Sequence, residues 1–446
     1  MPNHVVNLFR LFKLLKSGVS AYKSRAGKAK ADKALPRLYP DIDSVEFPLF
    51  RSTAESEKIK KFPLLMVLPF TDAAANEKEL LFGTGFARLL IRNLMLAKNI
   101  SVTGPEDTHK VGLEELKQHL PRLNNKKILV GGGVELENQK VTVHLKLMTP
   151  TGKEVAKTVT SPDGRTALRQ CSDVVCKVMR SEVDDKIRKM WGFGQPVDDF
   201  EENVCRLAAL QLAYDSNPED PETAHQAYDL LQRAPGMGSA CAYIDSDVMP
   251  NAKQICYETL QKDPYDAQLC FTLFLSHWES TGNYEPYAVQ FIRKGLELSP
   301  AHGKMNMCAP HAVDSSVRLK MLHHSELGYL LLPGNSFAIN NYLSNLSATN
   351  APFESYMKLA DEAMDADPHD PGTLERIFYL LRDKKDYQSA LSVGMLLEEL
   401  YREMHSRTLY CIKQNPQRSK MVEEGFDFAG DMRGQIEELQ KVIESQ

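Results

Sequence analysis

Apolar and polar residues repeat along this chain with two different periods, and the change of period divides it. Between residues 60 and 190 short apolar runs alternate with helical patterns. Leu64-Leu-Met-Val-Leu-Pro-Phe70 is a continuous run and predicts a buried strand. Phe86, Leu89, Leu90 and Leu94 recur at helical spacing and predict a helix over Phe86–Leu96. Ile100–Thr103 reads as a second strand and Glu106–Leu120 as a polar helix. Three strands then follow one another, Ile128–Leu136, Val141–Met148 and Glu154–Thr160, with turns at Asn138-Gln139 and Pro150-Thr-Gly152. In the middle strand Val141, Val143, Leu145 and Leu147 alternate with Thr142, His144 and Lys146, so one face is wet. A long helix is expected over Ala167–Trp191, with Val174, Val175, Val178, Met179, Val183 and Ile187 inward.

From Phe200 the strand signal stops. Helical segments follow at Phe200–Tyr214, Pro221–Arg233, Asn251–Lys262, Ala267–Ser280, Tyr284–Leu298, Ser315–Leu330, Ser336–Leu346, Pro352–Ala366, Gly372–Asp383, Tyr387–His405 and Asp431–Ser445. The stretch from Asp263 to Pro300 states the unit. One apolar helix, a breaker at Gly282-Asn-Tyr284, a second helix and a closing proline make a helix hairpin. Such a unit cannot bury its apolar face alone, so neighbours must stack on it and an α-solenoid is expected. Phe274 and Trp278 belong to its core rather than to a contact surface.

At the amino terminus Val5, Leu8, Phe12, Leu15 and Val19 fall on one side of a helix. From Met1 to Arg37 there are nine Lys/Arg and one acid, Asp32. This basic amphipathic arm has three candidate resting places: the protein's own body, a groove on a partner, and an anionic membrane surface reached through residues 1–35.

At 446 residues the chain exceeds one ordinary core. Three segments are expected: an arm over residues 1–40, an α/β domain over 60–192 and a helical array over 198–446. A net charge of −5 gives no reason to expect nucleic acid as a partner. No apolar run is long enough for a transmembrane helix, and Arg10, Lys13 and Lys16 spoil a secretory signal. Eight scattered cysteines without a Cys-x-x-Cys pair or zinc spacing fit reduced thiols in the cytoplasm, with or without peripheral membrane association.

The candidate chemistry reduces to structure. Gly83-Thr-Gly85 lacks the third glycine of a dinucleotide fingerprint and reads as a capped helix start. Gly131-Gly-Gly133 has no following Lys-Ser/Thr and reads as a bulge in a strand or as close packing on a helix. His323-His324 with Glu326 has no second half of a metal site and reads as a hydrogen-bonded pair. The paired acids at Asp184-Asp185, Asp198-Asp199, Glu201-Glu202 and Glu398-Glu399 suit helix starts and solvated faces. No catalytic residue, metal ligand or cofactor site is expected.

Two resemblances stand on these residues. Val67-Leu-Pro-Phe70, Phe82-Gly-Thr-Gly85, Ile100-Ser-Val102, Leu129-Val-Gly-Gly-Gly-Val134 and Val141–Leu147 resemble the amino-terminal domain of TolB. That resemblance implies a domain facing a ligand or partner rather than a catalyst. Gly282-Asn-Tyr284 with Ala288 and Pro300, Tyr356 with Ala360 and Ala363 before Asp367-Pro368, and Asp386-Tyr387 with Ala390 resemble tetratricopeptide repeats. Pro264 and Pro300 stand 36 residues apart, against a repeat of ~34 in that family. The fold class expected is therefore α+β multidomain, a TolB-like α/β domain followed by an all-α array.

Similarity to tetratricopeptide repeats implies protein recognition on a concave face. Glu375, Arg376, Tyr379 and Arg382 would be exposed on one such helix, either as partner contacts or merely solvated. The function expected is a non-catalytic scaffold or adaptor for protein partners, a second copy of the chain among them. The alternative is a regulatory protein whose α/β domain senses a small ligand.

Overall fold

The computed structural model describes residues 51–71, 75–103, 127–137, 140–149, 153–190, 199–217, 220–234, 236–244, 248–249, 251–281, 286–312, 319–332, 335–347, 349, 352–366, 370–414 and 428–445. The arm over 1–40, the helix expected at Glu106–Leu120 and the breaker at Gly282–Tyr284 lie outside them. Among the described residues the fold mixes one five-stranded sheet with many helices. The chain divides after Leu332 into two compact units.

The first unit opens with α1 (Thr53–Ile59), capped by Ser52 and Glu55 in a reciprocal capping box. Then come β1 (Leu64–Phe70), α2 (Glu77–Leu94), β2 (Ser101–Thr103), β3 (Lys127–Glu137), β4 (Lys140–Met148) and β5 (Glu154–Ser161). The sheet order is β2-β1-β3-β4-β5. β1 runs parallel to both β2 and β3, and β3, β4 and β5 form an antiparallel meander. The interior strand β1 is apolar because both its faces are covered. β4 alternates as its sequence does: Val141, Val143, Leu145 and Leu147 are buried, while Lys140 and Lys146 are exposed. In β5, Lys157 stands opposite Leu145 in the inner row and is nevertheless exposed.

The three glycines of β3 sit at a register shift between β1 and β3, where Phe70 pairs with Gly132. Gly132 has φ +146, and a Cβ there would run into the carbonyl of His144. The extra residue of this shift lies in β1, where Val67 to Phe70 takes three steps against two in β3, and β3 keeps an unbroken register with β4 through its glycines.

The expected helix start at Gly83–Gly85 is not observed. α2 begins at Glu77, where Asn76 accepts from the Glu79 amide at 3.0 Å and Glu79 returns the bond to the Asn76 amide. Both glycines lie inside the helix. A Cβ on Gly83 would meet the carbonyl of Phe70, and one on Gly85 the carbonyl of Val204. The glycines allow a strand and a second helix to approach α2 from two sides. On its sheet side α2 buries Phe82, Phe86, Leu89, Leu90 and Leu94. Each such side chain contributes about 1.5–3 kcal/mol on leaving water.

The single helix expected over Ala167–Trp191 is two. α3 (Gly164–Met179) is capped by Asp163 and ends where Arg180 turns left-handed at φ 52. α4 (Asp185–Met190) resumes beyond it. Val175 is fully buried, but Val178 is 38% exposed, so the apolar row expected along one long helix does not hold together.

α5 (Phe200–Ser216), α6 (Pro221–Arg233), a 3-10 turn at Gly238–Tyr243, α7 (Ala252–Lys262), α8 (Ala267–Thr281), α9 (Pro286–Leu298) and α10 (Gly303–Cys308) follow. The unit closes with 3-10 turns at Ala309–Ala312 and Leu319–Met321 and with α11 (Leu322–Leu331). These helices are built onto the sheet. α5 packs on α2 and α3, and α11 returns to β2 and α1. Ile59, Leu64, Ala301, Leu327 and Leu331 share one apolar cluster, with Phe62 against it.

The second unit contains α12 (Ser336–Ser347), α13 (Phe353–Ala366), α14 (Pro371–Asp383), α15 (Tyr387–Gln414) and α16 (Phe428–Glu444). Within this unit α13, α14, α15 and α16 each pack on the preceding helix. Phe378, Ala363 and Ala390 are fully buried between them. Small residues stand where helices close on one another, as with Gly394 against Phe378 and Ile436.

Candidate functional site

The densest polar construction lies on the face of α2 turned away from the sheet. Arg88 and Arg92 are one helical turn apart and are 2% and 7% exposed, with Asn93 beside them at 1%. Arg88 donates through Nη1 to Gln211 Oε1 of α5, and the Tyr243 hydroxyl donates to the same oxygen at 2.6 Å. The Arg88 guanidinium lies 5.4 Å from the centre of the Tyr243 ring. Gln211 passes the chain on, donating from Nε2 to Asp215 at 3.0 Å.

Arg92 lies between two acids. Its Nε donates to Asp266 Oδ2 at 3.2 Å, and Nη2 is ion-paired with Asp263. Asp266 Oδ1 accepts the Leu269 amide at 2.8 Å, which caps the start of α8. One carboxylate therefore holds a sheet-flanking helix and starts an array helix. A Cβ on Gly238 would stand 2.7 Å from the same carboxylate, so the 3-10 turn also closes on this point. Burial pushes the Arg92 guanidinium below its ordinary pKa, and the charge of Asp266 opposes that. Asn93 completes the face by donating to Ser172 Oγ of α3 at 3.1 Å. Sequence reading passed over Arg88 and Arg92. The available signal was two arginines four apart inside an otherwise apolar helix, where an uncompensated charge would be prohibitive.

A second polar feature opens where α3 and α5 begin. A cavity of about 400 Å³ is lined by Asp163, Arg165, Thr166, Arg169, Asp199, Phe200 and Glu201. Asp163 accepts from the Thr166 amide at 2.7 Å, and Glu201 from the Gly164 amide at 2.5 Å. Asp199 precedes α5 in a left-handed conformation, φ 54, without making a side-chain cap. Burial and the neighbouring Arg169 lower the pKa of Arg165.

The residues singled out in the sequence are placed as follows. Val5, Leu8, Phe12, Leu15 and Val19 lie outside the described residues. Of the α14 row, Arg376 is exposed as a residue, yet burial lowers its pKa, against the charges of Glu375 and Asp370. Arg382 is half-buried, with its guanidinium 4.8 Å from the centre of the Tyr379 ring and donating to Gln435 of α16 at 3.0 Å. Gln435 in turn donates to the Tyr379 hydroxyl at 3.0 Å. Glu375 is half-buried and bonded by Tyr401 of α15; burial raises its pKa, against the charge of Arg376. Three of the four are thus engaged within the chain, which corrects the expectation of a freely exposed row.

His323 and His324 are buried and hydrogen-bonded, in contact with Arg51 and Asn306. Glu326 instead pairs with Lys60 at 2.6 Å. Glu398 joins Arg402 of its own helix to Arg433 of α16. On the wet face of the sheet His144 lies 3.1 Å from Glu135 and 3.3 Å from Thr158, a cross-strand polar row on an open surface. Among the described residues no group of three or more His, Cys, Asp and Glu could hold a metal ion. No described helix is long and apolar enough to cross a membrane. No protein-family model matches the chain, and no curated protein matches it.

Proposed function

We propose that this protein is a non-catalytic adaptor, in which a TolB-like α/β domain backs a tetratricopeptide-like series of helix hairpins that grip a protein partner. The observation that carries the reading is the serial packing of α12 to α16, each after the first on the helix before it. Hairpins stacked in sequence order offer a row of like-oriented helix faces, which is how repeat arrays recognise extended segments. Arg376 on α14 is the exposed cation of that row. The buried Arg88 and Arg92 network supports a rigid platform, because sheet and helices are joined by charges that lose their partners if they separate.

The working compartment is the cytoplasm. The basic arm supplies a further contact, with a second copy of the chain or with an anionic membrane. Photo-crosslinking of the intact chain from Lys146 on the wet face of β4 and, separately, from Asp383, two turns beyond Arg376 on α14, followed by mass spectrometry, tests the reading. A partner crosslinked from Asp383 and lost with Arg376→Glu supports it. A partner that crosslinks only from Lys146 refutes it.

A second reading is favoured by the cavity between the starts of α3 and α5, whose paired arginines and acids suit a small polar ligand. On that reading the α/β domain senses the ligand and α5 transmits occupancy. Thermal-shift screening with Arg169→Ala as the control separates the two.

A further inference from the structure

Arg51, Asn306, His323 and His324 form a buried cluster where the segment leading into α1 crosses α10 and α11. Asn306 Nδ2 donates to the carbonyls of Pro300 at 3.1 Å and His302 at 2.9 Å. Its Oδ1 must therefore face the cluster, and it accepts there from Arg51 Nη1 at 3.3 Å. His324 Nδ1 lies 2.9 Å from the same oxygen, so this nitrogen carries a proton and donates. His323 Nε2 lies 3.0 Å from the carbonyl of Arg51 and also donates. The two rings are 4.6 Å apart, centre to centre. Neutral His324 commits its proton to the amide that orders Arg51, whereas His323 faces the backbone carbonyls of both Arg51 and Lys320, which favour a charged ring against the larger effect of burial.

The surroundings favour neutral rings. Arg51 is 8% exposed and already brings a positive charge. Of the neighbouring carboxylates, Glu326 and Glu57 are held by Lys60, while Glu55 is bonded by Ser52 and its charge also acts on Arg51. The other charged or titratable side chains on elements packed against α11 are Lys58 on α1, Lys304 and Cys308 on α10, His311 and Lys320. Burial, the neighbouring His323 ring and Arg51 all oppose a charge on His324. A proton added here makes two or three positive charges share one dry site.

We propose that His323 and His324 form an acid-operated latch: protonation leaves both donated bonds in place but crowds positive charge against the buried Arg51, and that repulsion releases residues 51–59 from α11. The segment is small enough to open alone, since α1 is seven residues and is anchored by Ile59 and the Lys60–Glu326 pair. Burial, His323 and Arg51 push the His324 pKa from 6.5 down to about 3, and burial lowers that of His323. A histidine depressed in this way supports the closed form fully above the ordinary histidine range. That support is lost progressively as pH falls from 6.5 toward 3.

Hydrogen exchange on the intact chain tests this at about pH 7.5 and about pH 5, corrected for the intrinsic exchange rate. Amides of residues 51–62 are expected to exchange roughly tenfold faster at the lower pH, while those of β3 and β4 stay unchanged. The paired substitution His323→Gln with His324→Gln keeps a donor at each site without a titrating ring and should abolish the acid response. Equal protection at both pH values, opening of the whole unit together, or an acid response that survives the substitutions overturns the proposal. Should that variant fail to fold, imidazole C2–H exchange of the unmodified chain decides. Rings titrating well below an ordinary histidine uphold the latch, and a normal value for both overturns it.

Discussion

Arg92 Nε donates to Asp266 Oδ2 at 3.2 Å, across 174 residues of sequence, with both side chains withdrawn from water. The pair fixes where α2 meets α8, and Asp263 completes it. Removing only the cation leaves two acids buried without their partner. Arg92→Met should therefore destabilise the first unit by about 3–5 kcal/mol, read from urea unfolding. Adding Asp263→Asn and Asp266→Asn removes the stranded charge and keeps the cap of α8, so most of the loss should return. An Arg92→Met protein as stable as the parent would show that this cluster does not hold the unit together.

Gly85 sets two effects against each other. Helix propensity alone favours Gly85→Ala by about 1 kcal/mol. A methyl group at this position meets the Val204 carbonyl, which is backbone and cannot swing aside. Overpacking of that kind costs about 1–3 kcal/mol, so the net sign should be destabilising. A rise in melting temperature would mean that α2 and α5 can separate without loss.

Thiol labelling checks the burial pattern. Cys171, Cys176, Cys270 and Cys308 are buried, and burial pushes each thiol up to about 12. Cys205 is half-exposed and donates to the Lys78 carbonyl at 3.6 Å. Among the described cysteines a maleimide applied to the native protein should modify Cys205 first. These four thiols, and the equally buried Cys241 and Cys256, should react only after unfolding. Modification of Cys308 at the rate of Cys205 would contradict the packing of α10.

Arg382→Ala removes a hydrogen bond to Gln435 and a ring contact with Tyr379. It should cost about 1–2 kcal/mol in the second unit. Arg376→Ala, at an exposed position, should change stability by less than about 0.5 kcal/mol. If partner binding depends on Arg376 while stability depends on Arg382, the two roles on α14 are separated. If both substitutions act only on stability, α14 is not a binding helix.

Much of the element order was legible because its signals are local. α6 follows Asp220-Pro221 and α14 follows Asp370-Pro371, an N-cap and a proline whose missing N–H costs nothing there. β4 was read from its alternation alone. The misreadings have non-local causes. Glycine normally argues against a helix interior, yet Gly83 and Gly85 are required by Phe70 and Val204, which no local pattern reveals. Arg180 is a poor candidate for a left-handed turn, and it is held by bonds from its own amide and that of Ser181 to the end of α3. Arg88 and Arg92 went unnoticed because Gln211, Asp263 and Asp266 come from distant sequence. Glu375, Tyr379 and Arg382 looked solvated because α15 and α16, which cover them, follow later in the chain.

Lys157 has an effect beyond its own strand. A foreign strand adding alongside β5 would have to trap an ammonium group in the oily layer shared with Leu145, with no acid supplied to neutralise it. This discourages strand-by-strand growth of the sheet into fibrils when the protein is concentrated. The single lysine thereby protects a β-rich surface that would otherwise invite its own copies.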